Sequence, residues 1–131
     1  MAHTAFLKLG NKEYNVIKCE YGFTQPIKEN GLTAGLPSGS LILFTLVAPD
    51  DSDMSLHEWM QSAEGHKDGQ VIFTVQNKTK LSNRTLHFKR AYCIRLYEYF
   101  DREDDKQMLT EITISAAEIS FGNGKVVFKN D

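Results

Sequence analysis

The sequence has little of what marks disulfide-stabilised, zinc-binding or membrane-spanning proteins. It contains 2 cysteines and 3 prolines among 131 residues. Cys19 and Cys93 form no CxxC motif and are too few for a disulfide framework, so we expect two reduced, packed thiols. The longest apolar stretch, from Leu41 to Ala48, is far shorter than the ~20 residues that cross a bilayer. We therefore expect no membrane insertion.

The sequence also lacks an excess of charge of one sign. Lys and Arg total 15 against 17 Asp and Glu, which gives a formal net charge of −2. Because nucleic-acid-binding domains normally carry a basic excess, this balance argues against a nucleic-acid partner. The first residues, Met1 to Lys8, show no basic segment followed by a long apolar one. This start predicts cytosolic synthesis without a cleaved signal peptide.

Catalytic and metal-binding motifs are missing from the sequence as well. It has no GxSxG, Walker A or GxGxxG segment, and its 4 histidines show no HxxxH spacing. These are His3, His57, His66 and His87. The acidic groups at residues 50–53 and 101–105 lack the EF-hand pattern and are better explained by helix capping and by a solvated hairpin tip. We expect no catalytic residue, no cofactor and no metal.

Period-two alternation of apolar and polar residues dominates the chain and predicts a mainly β protein. A single domain over residues 1–131 fits this length. Strands are expected at residues 5–9, 12–25, 41–47, 71–75, 85–100, 109–119, 119–121 and 125–128. Turns are expected at Gly10-Asn11 and at Gly122-Asn123-Gly124, and residues 77–83 as a polar loop. The long segment at 85–100 is typical of a curved barrel wall, because an ordinary strand has about 5–6 residues.

The alternation also predicts which side chains share a face. In the second strand, Ile17 is expected on the buried face with Cys19, Tyr21 and Phe23, opposite Val16. In the long strand the expected shared face consists of Leu86, Phe88, Tyr92, Ile94, Leu96 and Phe100. The strand at 41–47 is apolar at nearly every position, which predicts cover on both of its faces.

One helix is predicted at residues 54–63. Its apolar stripe consists of Leu56, Trp59, Met60 and Ala63. Acidic and hydroxyl side chains at 51–53 offer capping oxygens, and Gly65 provides a stop. A helix this short does not persist alone in water. We therefore expect Leu56, Trp59 and Met60 to dock on the barrel, over the outside of the strand at 41–47.

The connection at residues 27–39 is longer than the usual loop of about 4–6 residues and is partly apolar. Ile27, Leu32, Ala34 and Leu36 lie among its glycines. An apolar, flexible segment exposed on a monomer would be adhesive. It is covered either by a partner subunit or by its own barrel, and the residues leave both alternatives open.

The order of these elements resembles the tube protein of the type VI secretion system, the haemolysin-coregulated protein family, and most closely its divergent branch in Bacteroidetes. None of the matching segments is a catalytic signature, and together they cover most of the chain. They are FLKLGNKEYNVIKCEYGFTQ (6–25), GLTAGLPSGSLILFTL (31–46), SLHEWM (55–60), RTLHFKRAYCIRLYEYFD (84–101) and LTEITISAAEISFGN (109–123).

The resemblance implies a small β-barrel of two antiparallel sheets with one short flanking helix and no enzymatic activity. It implies homohexameric rings that stack into a hollow tube, which a contractile sheath expels with a tip spike and which carries effectors in its lumen. The subunit would assemble in the cytoplasm and then be secreted. By position, the 27–39 connection matches the family's loop between rings. The expected contact residues are Ile27, Leu32, Thr33, Ala34, Leu36 and Pro37.

Two other functions compete with this expectation. A monomeric carrier of the fatty-acid-binding or lipocalin type has a similar length and β content. Its helix pair would follow the first strand, whereas the helix here follows the third. An enzyme would need His66, His87 and an acidic residue to meet in a cleft.

Overall fold

The computed structural model describes residues 3–24, 28–31, 41–77, 79–103 and 107–129. The elements are β1 (Thr4–Leu9), β2 (Lys12–Tyr21), β3 (Leu41–Val47), α1 (Ser55–Gln61), β4 (Lys67–Asn77), β5 (Lys80–Tyr99), β6 (Leu109–Phe121) and β7 (Val126–Lys129). The strands hydrogen-bond in the order β3-β2-β1-β4-β5-β6-β7, and β3 also pairs with β6. This extra pairing closes β1 to β6 into an antiparallel barrel. The predicted small β-barrel with one short helix is confirmed.

The barrel has two different ends. At the end that we call the helix end lie the β1–β2 turn, the start of α1 and the β5–β6 hairpin tip. At the opposite end, called the aromatic end, lie the starts of β1 and β3, the β4–β5 hairpin and the β6–β7 turn. The turns contain the expected residues, since Gly10 has φ +62° and Gly122, Asn123 and Gly124 all have positive φ. Both predicted turns are present.

Apolar side chains fill the inside of the barrel. Those with the least exposure include Leu7, Ile42, Phe44, Leu46, Val71, Leu86, Phe88, Ile112, Ile114 and Ile119. Tyr14 and Val16 of β2 are buried with them, so each strand of the closed sheet has one face in a common core. At about 25 cal/mol per Å² of apolar surface removed from water, this core is the main source of stability.

The predicted faces of β2 are wrong in its first half. Val16 is 8% exposed and Ile17 is 58% exposed, the reverse of the expectation. The cause is a β-bulge, because Val16 pairs with Leu46 and Lys18 pairs with Thr45, which leaves Ile17 as an extra residue. One inserted residue exchanges the two faces of the following segment. Beyond the bulge, the expected residues from Cys19 onward do pack against the core.

The prediction that alternate residues share one face along the whole of β5 is also wrong, because β5 contains extra residues too. Arg90 adopts φ +51° where the register with β4 shifts, and Ile94 is the extra residue where the register with β6 shifts. After Arg90, Ala91 and Cys93 become buried, while Tyr92 and Ile94 are 38% and 50% exposed. The backbone N–H of Arg90 donates to Asp68 Oδ1 over 2.9 Å, which supports the left-handed conformation.

The expectation that β3 is covered on both faces is also wrong. Ile42, Phe44 and Leu46 are buried, but Leu41 and Leu43 are 46% and 44% exposed. The helix does not lie on β3, because α1 packs against β5. The apolar outer face of β3 is therefore open in the monomer.

The helix is shorter than predicted and runs from Ser55 to Gln61. Leu56 and Trp59 are buried, whereas Met60 is 40% exposed. The indole N–H of Trp59 donates to the Gly65 carbonyl over 3.2 Å. Leu56 and Trp59 thus dock at the helix end of the barrel, and Met60 lies at the surface.

The polar segment at residues 77–83, predicted as a loop, lies mostly in strands. β4 and β5 pair as far as Asn77 and Lys80. Cross-strand hydrogen bonds satisfy the backbone here even though most of the side chains are polar. Hydropathy alone therefore ends β4 too early and begins β5 too late.

Gly69 gives a test of how tightly the barrel wall packs. A Cβ at this position would lie 2.6 Å from Phe88 Cζ and 2.7 Å from the backbone oxygen of Lys8. Gly69→Ala is therefore expected to lower the free energy of unfolding by about 1–3 kcal/mol, measured by urea denaturation. The matched control is Gly22→Ala, because nothing lies within 4 Å of a Cβ there. Equal stability of the two variants would contradict this packing.

Candidate assembly surfaces

The outer sheet face of β3, β6 and β5 carries exposed apolar side chains. This outer patch consists of Leu41, Leu43, Ile94, Tyr97 and Tyr99, which are 40–53% exposed. Leu43 lies opposite Thr113, and Tyr97 lies opposite Glu111, so the patch continues across neighbouring strands. An outer face that exposes this many large apolar side chains, with polar residues of β6 between them, is typical of an interaction surface.

Charged groups within the outer patch are paired. Arg95 Nη1 lies 3.4 Å from Glu111 Oε1, and its guanidinium lies 5.3 Å from the Tyr97 ring centroid. On the β2 side, Lys18 Nζ lies 2.7 Å from Glu20 Oε1. These exposed pairs contribute little to stability. The face thus combines aliphatic and aromatic side chains with charged side chains that neutralise each other, which is typical of protein interfaces.

A cleft of about 800 Å³ opens at the aromatic end. Its aromatic side chains are in mutual contact, with the Phe23 and Phe128 rings stacked at 3.7 Å and the Tyr21 and Phe121 rings 5.7 Å apart. Arg84 and Lys125 also line the cleft. Within the described part of the chain, its lining residues include no acidic side chain.

At the helix end, Asp53 joins α1 to the β1–β2 hairpin. Its carboxylate accepts hydrogen bonds from Lys12 Nζ and Tyr14 Oη, both at 2.9 Å, and from the backbone N–H of Ser55 at 3.1 Å. The Ser55 hydroxyl donates to it as well. Burial alone would raise the pKa of Asp53, but these donors hold that pKa well below its usual range.

A second contact ties α1 to the long hairpin. His57 Nε2 lies 2.8 Å from Glu98 Oε1, and the Thr110 hydroxyl donates to Glu98 Oε2 over 2.6 Å. Burial opposes the charged form of Glu98, but these hydrogen bonds and the nearby imidazole lower its pKa. The contacts of Asp53 and His57 thus hold α1 to the barrel on both sides of the buried Leu56 and Trp59.

The remaining histidines and the cysteines are in ordinary structural surroundings. His66 contacts the Tyr92 ring edge at 5.8 Å, and His87 pairs across the sheet with Gln70 and Ser120. Both cysteines are free thiols, and burial raises the pKa of Cys19 to about 12. Among the described residues, no group of three or more His, Cys, Asp or Glu side chains is arranged to hold a metal ion.

The loop residues predicted at a subunit contact lie outside the described residues. These are Ile27, Leu32, Thr33, Ala34, Leu36 and Pro37. The flanking strands show where the connection is anchored, because Tyr21 at the end of β2 pairs with Ile42 at the start of β3. Both anchors lie at the aromatic end.

Sequence reasoning missed the outer patch and the cleft. The hydrophobic run of β3 is a signal for the outer patch, but it predicts a covering helix equally well. For the cleft, the signal is the recurrence of Phe23, Phe121 and Phe128 next to predicted turns. The hairpin that brings Phe121 and Phe128 together is predicted, but the approach of Phe23 depends on the pairing of β3 with both β2 and β6, which the sequence does not show.

None of the helices in the described portion of the structure is long and apolar enough to span a bilayer.

Comparisons with known proteins point to one family. The family described as Hemolysin coregulated protein Hcp (TssD) matches residues 1–131. The chain is similar to the structure of Hcp1 from Flavobacterium johnsoniae, at 27% identity and TM-score 0.81, over 97% of this chain and 99% of that chain. A search of curated proteins found no match.

Two further structures are similar in fold. One is Hcp1 from Salmonella typhimurium, at 13% identity and TM-score 0.68, over 91% of this chain and 85% of that chain. The other is described as a type VI secretion system effector from Yersinia pestis, at 14% identity and TM-score 0.64, over 96% of both chains. Identities this low support the fold alone.

The Asp53 contacts predict how stability depends on pH. Because the folded pKa of Asp53 is lowered, its contribution is present above the unfolded value of about 3.9 and is lost as pH falls toward the folded value. Asp53→Asn is expected to lower the free energy of unfolding at pH 7 by about 1–3 kcal/mol. It should also reduce the stability difference between pH 7 and pH 3, measured by urea denaturation. The control is Asp51→Asn, at an exposed neighbour. An unchanged difference between the two pH values would refute this assignment.

Proposed function

Since the chain belongs to the haemolysin-coregulated protein (Hcp, TssD) family, whose members form the type VI secretion tube, we propose that it is a structural subunit of that tube. The observation that carries the proposal is the family match over residues 1–131. The exposed apolar outer patch supports it, because a self-assembling subunit needs such a surface.

Ring formation requires two different complementary surfaces on each copy. A heterologous interface repeated around an axis closes into a ring, and we propose six copies per ring. The outer patch supplies one of the two surfaces, with Leu43 and Tyr97 near its middle. The side chains of the outer patch are only partly exposed, which fits a contact made of many individually weak interactions.

Stacking of rings is proposed to use the 27–39 connection. The anchors of this connection lie at the aromatic end of the barrel, which supports a role between successive rings. Its proposed contact residues are Ile27, Leu32, Thr33, Ala34, Leu36 and Pro37. These side chains are apolar or small, and burying them against a second ring would remove them from water.

The proposed role in the tube implies a cellular location and a set of binding partners. We propose a single tube-subunit domain over residues 1–131, assembled in the cytoplasm and secreted through the type VI system without a cleaved signal peptide. A contractile sheath, a tip spike and effectors in the lumen are its proposed partners. The role is mechanical, with no catalytic step.

A monomeric ligand carrier is not favoured. Carriers of that type enclose a cavity inside the barrel. Here the interior is filled by core side chains such as Phe44, Phe88 and Ile114, which are 0–2% exposed.

Leu43 tests the ring proposal. Leu43→Asp places a charge in the outer patch, and burial of that charge against a second copy would cost roughly 3–5 kcal/mol. We expect the variant to stay folded, because Leu43 is 44% exposed, and to sediment near the monomer mass of 14.9 kDa. Leu43→Met is the control and should form rings. Normal rings of the Asp variant would rule the outer patch out of the ring contact.

Leu36 tests the stacking proposal separately. Leu36→Asp is expected to leave the barrel folded and the rings intact while abolishing their stacking, since it would bury an unpaired charge between rings. Electron micrographs should then show single rings where the wild type gives tubes. Leu36→Met should stack normally. Tubes of wild-type length from the Asp variant would count against this contact.

A further inference from the structure

We propose that successive copies of this chain also join head to tail, with Phe100, Asp101 and Glu103 of one copy bound in the aromatic-end cleft of the next. The three residues form what we call the tip, at the helix end of the β5–β6 hairpin. This inference rests on the proposed function and names one contact through which the stacked copies bind.

The tip presents an apolar anchor beside acidic groups. Phe100 is 69% exposed, the highest value among the exposed large hydrophobic side chains of the described residues. Asp101 and Glu103 are exposed as well. The backbone N–H of Glu103 donates to Asp101 Oδ1 over 3.0 Å, which orders the chain directly after Phe100. An exposed aromatic side chain beside a hydrogen-bonded backbone segment is suited to filling a pocket on a partner.

The cleft has the complementary chemistry. Its aromatic walls offer edge and face contacts to a further ring, as they already do to each other. Arg84 and Lys125 supply positive charge at the same place. In the described part of the chain neither residue takes part in a salt bridge within 4.0 Å. Both cations are therefore available to carboxylates from outside.

The two ends of the barrel also differ in charge. Near the tip, Asp50, Asp51 and Glu58 are exposed, and Arg102 is the basic neighbour. Near the cleft, Lys80 is exposed in addition to Arg84 and Lys125. Opposite potentials at opposite ends favour head-to-tail approach and oppose head-to-head approach.

The topology excludes the tip of the same chain as the occupant of the cleft. Arg84 lies near the start of β5 and Phe100 directly after its end, and β5 is 20 residues long. The tip and the cleft are therefore at opposite ends of one hairpin, and the tip cannot reach the cleft of its own chain. A contact between two different surfaces of identical copies propagates along a line, as stacking requires.

Charge reversal provides a sharp test. The tip variant carries Asp101→Lys and Glu103→Lys, and the cleft variant carries Arg84→Glu and Lys125→Glu. All four side chains are exposed, so both variants should fold, which far-UV circular dichroism and thermal unfolding would verify. Each variant alone pairs like charges between copies. We expect rings from each, with at least about tenfold less stacked material than wild type by sedimentation at low salt.

Mixing the two variants should restore stacking. In the mixture each reversed tip meets a reversed cleft, and each unchanged tip meets an unchanged cleft, so alternating stacks have opposite charges at every contact. Added salt should weaken this recovery. The matched control is Lys8→Glu with Glu13→Lys, which exchanges the members of an exposed ion pair, keeps the net charge of both ends and should stack as wild type.

The outcomes separate this inference from the proposed function. Wild-type stacking by each variant alone, or intact rings that fail to stack in the mixture, would overturn the inference and leave the ring proposal standing. A wild-type protein that forms no rings would defeat the proposed function. In that case, association of tip and cleft variants, but of neither alone, would still support the contact, and no association would refute it.

Discussion

The pairing of β3 with β6 is the constraint on which the rest of the structure depends. It runs from Leu41 opposite Ser115 to Val47 opposite Leu109 and closes the sheet on itself. Closure turns one face of every barrel strand inward, so the core is complete within one copy. Apolar side chains on the outside are then not needed for the barrel's own core. Exposed apolar side chains in this number on a small protein are typical of an interaction surface.

Bulges determine which side chains lie outside. Without the extra residue Ile94, the following part of β5 would present the opposite face to the core. Tyr97 and Tyr99 would then point inward and Leu96 outward. The register shifts thus set the composition of the outer patch. The left-handed conformation of Arg90 and the hydrogen bond that its backbone N–H donates to Asp68 hold the preceding part of the strand. Local backbone irregularity and assembly surface are linked in this fold.

Sequence reasoning predicted the barrel, the helix and the turns, because period-two alternation and the Gly-Asn segments are local signals. It failed at Val16 and Ala91, where one extra residue exchanges the faces without changing composition. It also misjudged Leu41 and Leu43, since an apolar outer face has the same pattern whether a helix or another copy covers it. The phenylalanines beside the predicted turns are a local signal for the cleft, but their meeting depends on long-range strand pairing. The apolar 27–39 connection left a partner subunit as one of two alternatives, and the resemblance alone specified assembly of identical copies.

The central claim is that this chain works only as an assembly of identical copies. The most direct measurement is electron microscopy of the purified wild-type protein combined with its mass in sedimentation equilibrium. The account predicts annular particles whose mass is six times 14.9 kDa, stacking into hollow tubes. Single 14.9 kDa molecules at the highest attainable concentration, with no annular particles, would contradict it.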